Sequence, residues 1–504
     1  MQQTTVQPIH QHGTVACLLA PWLSTSCTVP LSGMTLDSRT VTTGDLFVAL
    51  QGAISDGRTF IDKAIAKGAA AVLSETLDAT SHGCLHLQNN VPIIDVFNLK
   101  QHLSAISMRF YFPENNLHPV TAITGTNGKT TIASLLANSY HLLNIKSAQM
   151  GTIGNGLYGQ LQSSLNTTLD AISVCRELRK YQQQGAQQSI MEVSSHGLMQ
   201  GRVAAVPFKT GIFTNLTRDH LDYHGTMQAY AEAKERLFNY FPLKHKIING
   251  DDPIGKNWLT RHHDAVAYGF DVNSNSSQRY FKITDVDYIA QGVHFKFDSS
   301  WGQGVINAQF YGAFNVLNLA AICCALLCDG ISLNDVQSTL TQLTVVPGRM
   351  EQYYFAKQQA TFIVDYAHTP DALKNALMAL QAHKKKGRIV VMFGCGGDRD
   401  KGKRPEMAKA AEQGADKVII VDDNPRNESA SAIIEDIKQG LSAPLQTQVI
   451  HDRAEAITHL LATAMPDDII LVAGKGHEDY QIFGNEKVHY SDRECLSALL
   501  GANT

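Results

Sequence analysis

The run Ile123-Thr-Gly-Thr-Asn-Gly-Lys-Thr-Thr131 carries the sharpest chemical signal in the chain. A strand, Val120 to Thr124, runs into a glycine turn, and Lys129 opens a helix. Gly125 and Gly128 permit backbone geometry in which successive N–H groups face one anion. The helix N-terminus adds the positive end of its dipole. Lys129 can reach the β- and γ-phosphates of a nucleotide, and the Thr130 hydroxyl can sit on Mg2+. Thr126, Asn127 and Thr131 complete this ATP loop. An ordinary strand–turn–helix connection is the competing reading, and it leaves the Lys-Thr pair unexplained. The spacing departs from G-x-x-x-x-G-K-[ST]: Ile123 stands where the first glycine is expected.

Other strings gather side chains with chemistry. Met191-Glu-Val-Ser-Ser-His196 ends a strand, and Thr214-Asn-Leu-Thr-Arg-Asp-His-Leu-Asp-Tyr-His224 follows it. Then comes Tyr230-Ala-Glu-Ala-Lys-Glu-Arg-Leu-Phe238. Carboxylates and imidazoles at the C-terminal ends of parallel strands lie where α/β folds place chemistry. Phosphoryl transfer needs hard ligands for Mg2+ and an offset for the attacking carboxylate's charge. For Asp219, Asp222 and His224, local capping and turns compete with a site role. Late in the chain stand Gly394-Cys-Gly-Gly-Asp-Arg-Asp-Lys-Gly-Lys-Arg404, Asp423-Asn-Pro-Arg426 and Gly474-Lys-Gly-His-Glu478. Each alone is a weak turn signal.

The elements that must position these residues read as α/β. The 504 residues exceed one hydrophobic core. Breaks at Tyr111 to Pro119 and Val346 to Arg349 divide them into segments 1–113, 114–346 and 347–504. The first mixes short strands and helices, with Asp45 to Leu50 a strand and Phe60 to Ala71 a helix. The second carries strands Val120 to Thr124, Ser189 to Val193 and Gly211 to Asn215 with helices between, which predicts a parallel sheet. Alternation over Arg279 to Tyr311 predicts an antiparallel region beside it. The third repeats strand–helix units at Phe362 to Tyr366, Ile389 to Phe393, Val418 to Asp422 and Ile469 to Val472, a Rossmann-like pattern.

Composition excludes some partners. A net charge of −4 gives no basic field for nucleic acid or a membrane surface, so any anion site is local. The nine cysteines form no CxxC pair, which fits a reducing compartment without disulfides or zinc. Cys323, Cys324 and Cys328 read as parts of a buried helix. Met1 to Gly13 lacks the charged and apolar blocks of a secretory signal. The apolar run Val316 to Cys328 is too short to span a bilayer. A cytoplasmic monomer is the expectation.

The G-T-N-G-K-T form of the loop resembles the Mur ligase and folylpolyglutamate synthetase superfamily. From about Leu36 to Arg493 the strings quoted above resemble the Mur ligases, in the family's order. That resemblance implies three domains: a small α/β UDP-binding domain, a central P-loop-type ATPase and a C-terminal Rossmann-like domain. It implies Thr130 and Glu192 near one Mg2+, His220 near a second, and Lys234 carbamylated. A lysine ammonium would repel Mg2+, whereas a carbamate is an anionic oxygen ligand. It places Asn315, of Gly312-Ala-Phe-Asn315, near adenine, with helix capping as the alternative. Arg349 and Asp365 meet the nucleotide from the C-terminal domain, whose closure completes the site.

The resemblance also speaks to substrates. Thr35-Leu-Asp-Ser-Arg39, Gly44 to Gly52 and Asp56 to Ile61 resemble the UDP-binding domain of the third and fourth Mur ligases, with Ser38 at the diphosphate or uridine. Asn166, Thr167, Thr168, Ser194, Gln200 and Arg202 match the region holding the muramoyl peptide of UDP-N-acetylmuramoyl-L-alanyl-D-glutamate. Leu169 replaces a proline common there, and Gly201 is a second departure; neither removes a charged group. D-N-P-R marks family members that accept meso-diaminopimelate, whose distal carboxylate an arginine can pair bidentately. Facing lysine instead, that arginine lacks its anion, at a cost on the order of 2–5 kcal/mol. Arg399 and Arg426 then face carboxylates, while Asp423, Asn424, Gly474 and Glu478 receive ammonium groups. The implied chemistry is ATP-dependent amide-bond formation through an acyl phosphate. A folate polyglutamate synthetase, a lysine-adding ligase and a binding protein with a vestigial ATPase are the rivals.

Overall fold

The computed structural model describes residues 12–52, 55–164, 166–273, 278–289, 292–443 and 447–503. The polar N-terminal stretch read for a secretory signal lies, up to Gln11, outside the described residues. The chain divides into two compact units. The first takes residues 1–122, 145–209 and 232–243; the second takes 123–144, 210–231 and 244–504.

In the first unit, a five-stranded sheet runs in the order Gly33–Thr35, Asp45–Ala49, Ala71–Thr76, Val91–Phe97, Leu85–Gln88. Asp45–Ala49 is buried at every position, as a parallel strand covered on both faces must be. Where the sequence predicts a helix over Phe60 to Ala71, a 3-10 turn, Gly57–Phe60, leads into the short helix Ile61–Ala66. Gly68, at φ +99°, ends that helix, a left-handed position suited to glycine. Ala71 then enters the sheet, pairing in parallel with Leu46. The same unit carries Asn155–Leu157 antiparallel to Ser147–Met150, which pairs in parallel with Gln188–Glu192.

Val120–Thr124, buried throughout, begins in the first unit and ends in the second. The second unit continues with His245–Asn249 and Val266–Gly269, paired in parallel. The antiparallel meander Tyr280–Ile289, Gly292–Ser299, Gly302–Ala308 follows, where alternation predicts it. Helix Ala313–Cys328 is buried almost all round, with Cys323 and Cys324 inside it. The strand predicted at Gly211 to Asn215 runs instead over Phe208–Phe213, because Thr214 and Asn215 turn onto the phosphate loop.

The C-terminal part of the second unit is a six-stranded sheet. Its order is Glu351–Phe355, Ala360–Asp365, Ile469–Ala473, Ile389–Phe393, Lys417–Ile420, Gln448–Val449. All but the first pairing are parallel. Apolar clusters fill both faces, one under Leu373, Leu377 and Met407, the other under Ile457, Leu460 and Leu496. The loops at the strands' C-terminal ends therefore hold the glycine-rich strings, where a doubly wound sheet leaves a crevice. Among the described residues no helix is long and apolar enough to cross a membrane.

Candidate active site

The phosphate loop is built as its residue types demand. Gly125 sits at φ +145°, and a Cβ there would stand 1.8 Å from Thr214 Oγ1. Gly128 caps helix Lys129–Leu142 at φ +87°, and its Cβ would meet Asn318 Oδ1 at 2.7 Å. Asn215 braces the turn: its carbonyl accepts from the Thr126 N–H at 2.8 Å and its Oδ1 from the Asn127 N–H at 3.0 Å. Thr214 Oγ1 donates to the Asn127 carbonyl at 2.6 Å. Lys129 lies back over the loop, its Nζ donating to the Gly125 and Thr126 carbonyls at 2.9 Å each. Thr130 and Thr131 are buried in the first helical turn. Thr214 and Asn215 open the quoted 214–224 string, but their role as loop braces, like that of Asn318, comes from neighbours far along the chain.

Asn315 is buried; its Nδ2 donates to the Tyr311 carbonyl at 2.9 Å and its Oδ1 accepts from Asn318 at 3.1 Å. His220, in a left-handed conformation at φ +53°, lies 3.5 Å from Asp219 and edge-on to Tyr230. Burial pushes Asp219 up, but the His220 and His368 rings, the His220 N–H and Lys129 bring it below the ordinary carboxylate value. Asn127 Nδ2 also reaches Asp371 Oδ2, at 3.4 Å.

In the first unit a second network forms. Glu192 is buried, and its two carboxylate oxygens accept from the Thr152 N–H at 2.8 Å and the Thr152 hydroxyl at 3.2 Å. Thr152 Oγ1 meets Thr167 Oγ1 at 3.1 Å. Thr168 Oγ1 donates to the Glu192 carbonyl at 2.9 Å and accepts from the Ser194 N–H at 2.9 Å. Ser194 caps the short helix that follows. Arg202 donates to the Thr168 carbonyl at 2.7 Å and, through two nitrogens, to Gln200 Oε1. Thus Thr167, Thr168, Ser194, Gln200, Arg202 and Glu192 are brought together, while Asn166 is exposed beside them. Thr152 has no sequence signal. Ser38 is buried in the loop where Asp37 clamps Arg39. Lys234 is only 1% exposed, so it is not the solvated helix lysine its amphipathic surroundings suggest. Among the described residues no three His, Cys, Asp or Glu side chains cluster as a metal site.

The late glycine-rich strings converge in the second unit. Arg426, at φ +52°, donates to the Gly397 carbonyl at 2.8 Å. Its N–H donates to the Ile482 carbonyl at 3.0 Å. Asn424 is buried; its Oδ1 accepts from Lys475 Nζ at 2.9 Å and from the Ile482 N–H at 3.0 Å. Glu478 Oε2 accepts from Lys475 at 3.2 Å and from Asn424 Nδ2 at 3.5 Å, and Oε1 faces the Tyr366 hydroxyl at 3.4 Å. A Cβ on Gly474, at φ +108°, would stand 3.1 Å from Asp423 Oδ2. Arg399 is exposed at the rim. Arg404, fully buried, stitches Glu428, Asp436 and the Gly396 carbonyl.

Alongside, Arg349 stacks over the Tyr366 ring at 4.5 Å, with its Nε buried and unpaired. Asp365 accepts from the Met350 and Ala367 N–H groups. Burial raises its pKa against the pull of Arg349. Burial, with Arg349 nearby, pushes His477 down to about 4. Tyr366, His477, Lys475 and Gln481, which donates to the Asp423 carbonyl at 2.8 Å, escape sequence reasoning. Lys475 and His477 stand in the quoted Gly474 to Glu478 string, but the sequence gives neither a role.

Three family descriptions match the chain: the Mur ligase family catalytic domain at residues 30–111, the Mur ligase middle domain at 123–326 and the Mur ligase glutamate ligase domain at 348–476. A UDP-N-acetylmuramoyl-L-alanyl-D-glutamate–2,6-diaminopimelate ligase of Haemophilus influenzae is 48% identical over 468 residues, 92% of this chain and 95% of its own. One of Vibrio cholerae is 45% identical over 496 residues, 98% of this chain and 99% of its own. A solved structure of a ligase of that same name superposes with a TM-score of 0.69 at 36% identity, covering 97% of this chain and 99% of its own. A MurF ligase from Thermotoga maritima, solved with ADP, shares the fold at 20% identity, with a TM-score of 0.62 over 88% of this chain and 93% of its own. With its glycine-built phosphate loop, buried Glu192 and converging C-terminal strings, the chain belongs to the Mur ligase family.

Proposed function

We propose that the protein is an ATP-dependent ligase that joins meso-2,6-diaminopimelate to UDP-N-acetylmuramoyl-L-alanyl-D-glutamate in peptidoglycan precursor synthesis. The observation that carries this reading is the convergence of Asp423 to Arg426 with Gly474 to Glu478, an arginine and a carboxylate within one hydrogen-bonded loop cluster. Its charges suit an amino acid with a distal carboxylate and ammonium. The relatives that match nearly the whole chain are named as ligases for that amino acid.

In the proposed reaction the loop amides and Lys129 hold the ATP phosphates, Lys129 exchanging its two loop carbonyls for phosphate oxygens. Arg349 and Asp365 meet the nucleotide, and Asn315 its adenine. Ser38 takes the UDP moiety; Asn166, Thr167, Thr168, Ser194, Gln200 and Arg202 hold the muramoyl dipeptide. One of the two free carboxylates of its D-glutamyl residue attacks the γ-phosphorus, forming an acyl phosphate and releasing ADP. The diaminopimelate amine, its protons passing to solvent, then attacks the acyl carbon. Phosphate leaves with one former carboxylate oxygen, and an amide bond remains. Catalysis is mainly positioning and electrostatics.

The donor chemistry suits Mg2+: Glu192 and Thr130 would offer hard oxygens, His220 an imidazole, and buried Lys234, as its carbamate, an anionic oxygen. When bound, Mg2+ supplies charge neutralisation at the transferring phosphoryl group. Substrate labelled with heavy oxygen in the glutamyl carboxylate tests the route: the label is expected in the released phosphate, and phosphate free of label rules out the acyl phosphate.

A further inference from the structure

Lys475 is completely buried, and no step of the proposed reaction uses it. A buried lysine has three donors and no acceptor, so its neighbours must be acceptors. They are Asn424 Oδ1 at 2.9 Å and Glu478 Oε2 at 3.2 Å, with the Tyr480 ring 5.4 Å away. Asn424 Oδ1 also accepts the Ile482 N–H at 3.0 Å. Two obligate donors therefore fix which end of the Asn424 amide is oxygen. Both lone pairs of that oxygen are used. One Nδ2 hydrogen of Asn424 is directed at Glu478 Oε2, at 3.5 Å, so Asn424 can offer a ligand only its other Nδ2 hydrogen, which suits a carboxylate. This differs from the sequence expectation that Asn424 receives an ammonium group. Glu478, anchored by Lys475 and Tyr366, remains the acceptor.

We infer that Lys475 is a positioning residue for amino-acid selection: it locks Asn424 as a donor toward a substrate carboxylate and anchors Glu478 as the acceptor beside it. The inference rests on the proposed diaminopimelate pocket. It separates the two ends of the recognition problem physically. Arg426 and Asn424 present hydrogens, Glu478 presents oxygens, and Lys475 holds the boundary between them without touching substrate. Removing the ammonium leaves one donor, the Ile482 N–H, on the Asn424 oxygen. The amide can then turn, and an oxygen facing the pocket tolerates an amino acid that lacks the distal carboxylate.

The test is Lys475→Met in the full chain, which keeps the stem and removes the charge. KM for meso-diaminopimelate should rise on the order of tenfold to a hundredfold, with KM for ATP and for the UDP-linked dipeptide little changed. The preference for diaminopimelate over L-lysine should shrink. A merely structural role would move all three KM values together. Asn424→Asp is the second variant: it keeps acceptors for Lys475 and Ile482 and sets an oxygen against both the substrate carboxylate and Glu478 Oε2, with the Lys475 ammonium between the two carboxylates to offset the second contact. It should lose diaminopimelate binding while retaining its melting temperature. Unchanged diaminopimelate KM and unchanged preference in a folded Lys475→Met protein overturn the inference. If Lys475→Met does not fold, wild-type diaminopimelate affinity in Asn424→Asp overturns it. Absence of diaminopimelate-dependent turnover in the wild type would instead sink the pocket itself.

Discussion

Lys129 rests on two carbonyls of its own loop, a geometry that needs only rotation of its stem to reach a phosphate. Lys129→Ala should therefore keep its fold and lose at least about a hundredfold in kcat, read by steady-state phosphate release. Lys234 makes a different demand. Labelled bicarbonate should give a carbamate resonance in the wild type that is missing from Lys234→Arg; a spectrum identical in the two removes carbamylation from the account. His477 makes a pH prediction. Its pKa falls from 6.5 to about 4 in the fold, chiefly by burial. The unfolded chain thus takes up the proton first as pH drops. The associated stability is intact above about pH 6.5 and is lost as pH falls toward 4, by roughly 3 kcal/mol in all. His477→Gln should flatten that limb in denaturant titrations at several pH values. At this scale the sequence identifies the loop and Glu192, because their strings are local. It does not show Thr152, nor the parts that Asn215 and Lys475 play within the quoted strings, because their partners Glu192, Asn127 and Asn424 lie dozens of residues away and are brought up by strand order.

At the scale of elements, glycines and buried charges decide geometry. An alanine at Gly125 would have to displace Thr214 and hold a left-handed backbone; it should abolish nucleotide binding, measured by calorimetry. Arg453 and Asp492 form a pair in which neither side chain is exposed. Arg453 also donates to the Ala473 carbonyl at 3.0 Å, just before Gly474. The pair ties helices Arg453–Thr463 and Asp492–Asn503 to the strand that leads into the pocket. Arg453→Met should destabilise the protein by about 3–5 kcal/mol, because it strands a buried carboxylate. Strands Val120–Thr124 and Ile389–Phe393 and the 280–308 meander are legible from apolar runs and alternation. The helix expected at Phe60 to Ala71 stops short because Gly68, at φ +99°, ends it and Ala71 is already paired with Leu46 in the sheet, a tertiary pairing that local propensity does not contain. The hairpin Tyr480–Phe483 and Glu486–His489, which backs Asp423 to Arg426, gives no such signal, since four residues a strand are too few to set a period.

For the whole molecule, the near-neutral charge of −4 provides no broad basic field, so in the proposed reaction anionic substrates are met by local devices: loop amides, Arg202, Arg349, Arg399 and Arg426. The relatives of Haemophilus influenzae and Vibrio cholerae match over nearly the full chain, so the strings legible in sequence belong to one enzyme plan rather than to separate modules. Chelation of divalent cations should stop turnover, and added Mg2+ should restore it. The most direct measurement is phosphate release from ATP with UDP-N-acetylmuramoyl-L-alanyl-D-glutamate present, comparing meso-diaminopimelate with L-lysine. Release should depend on diaminopimelate and yield the tripeptide-linked nucleotide by mass. Release with lysine alone would overturn the role given to Arg426, and ATP binding with release for neither amino acid would overturn the ligase.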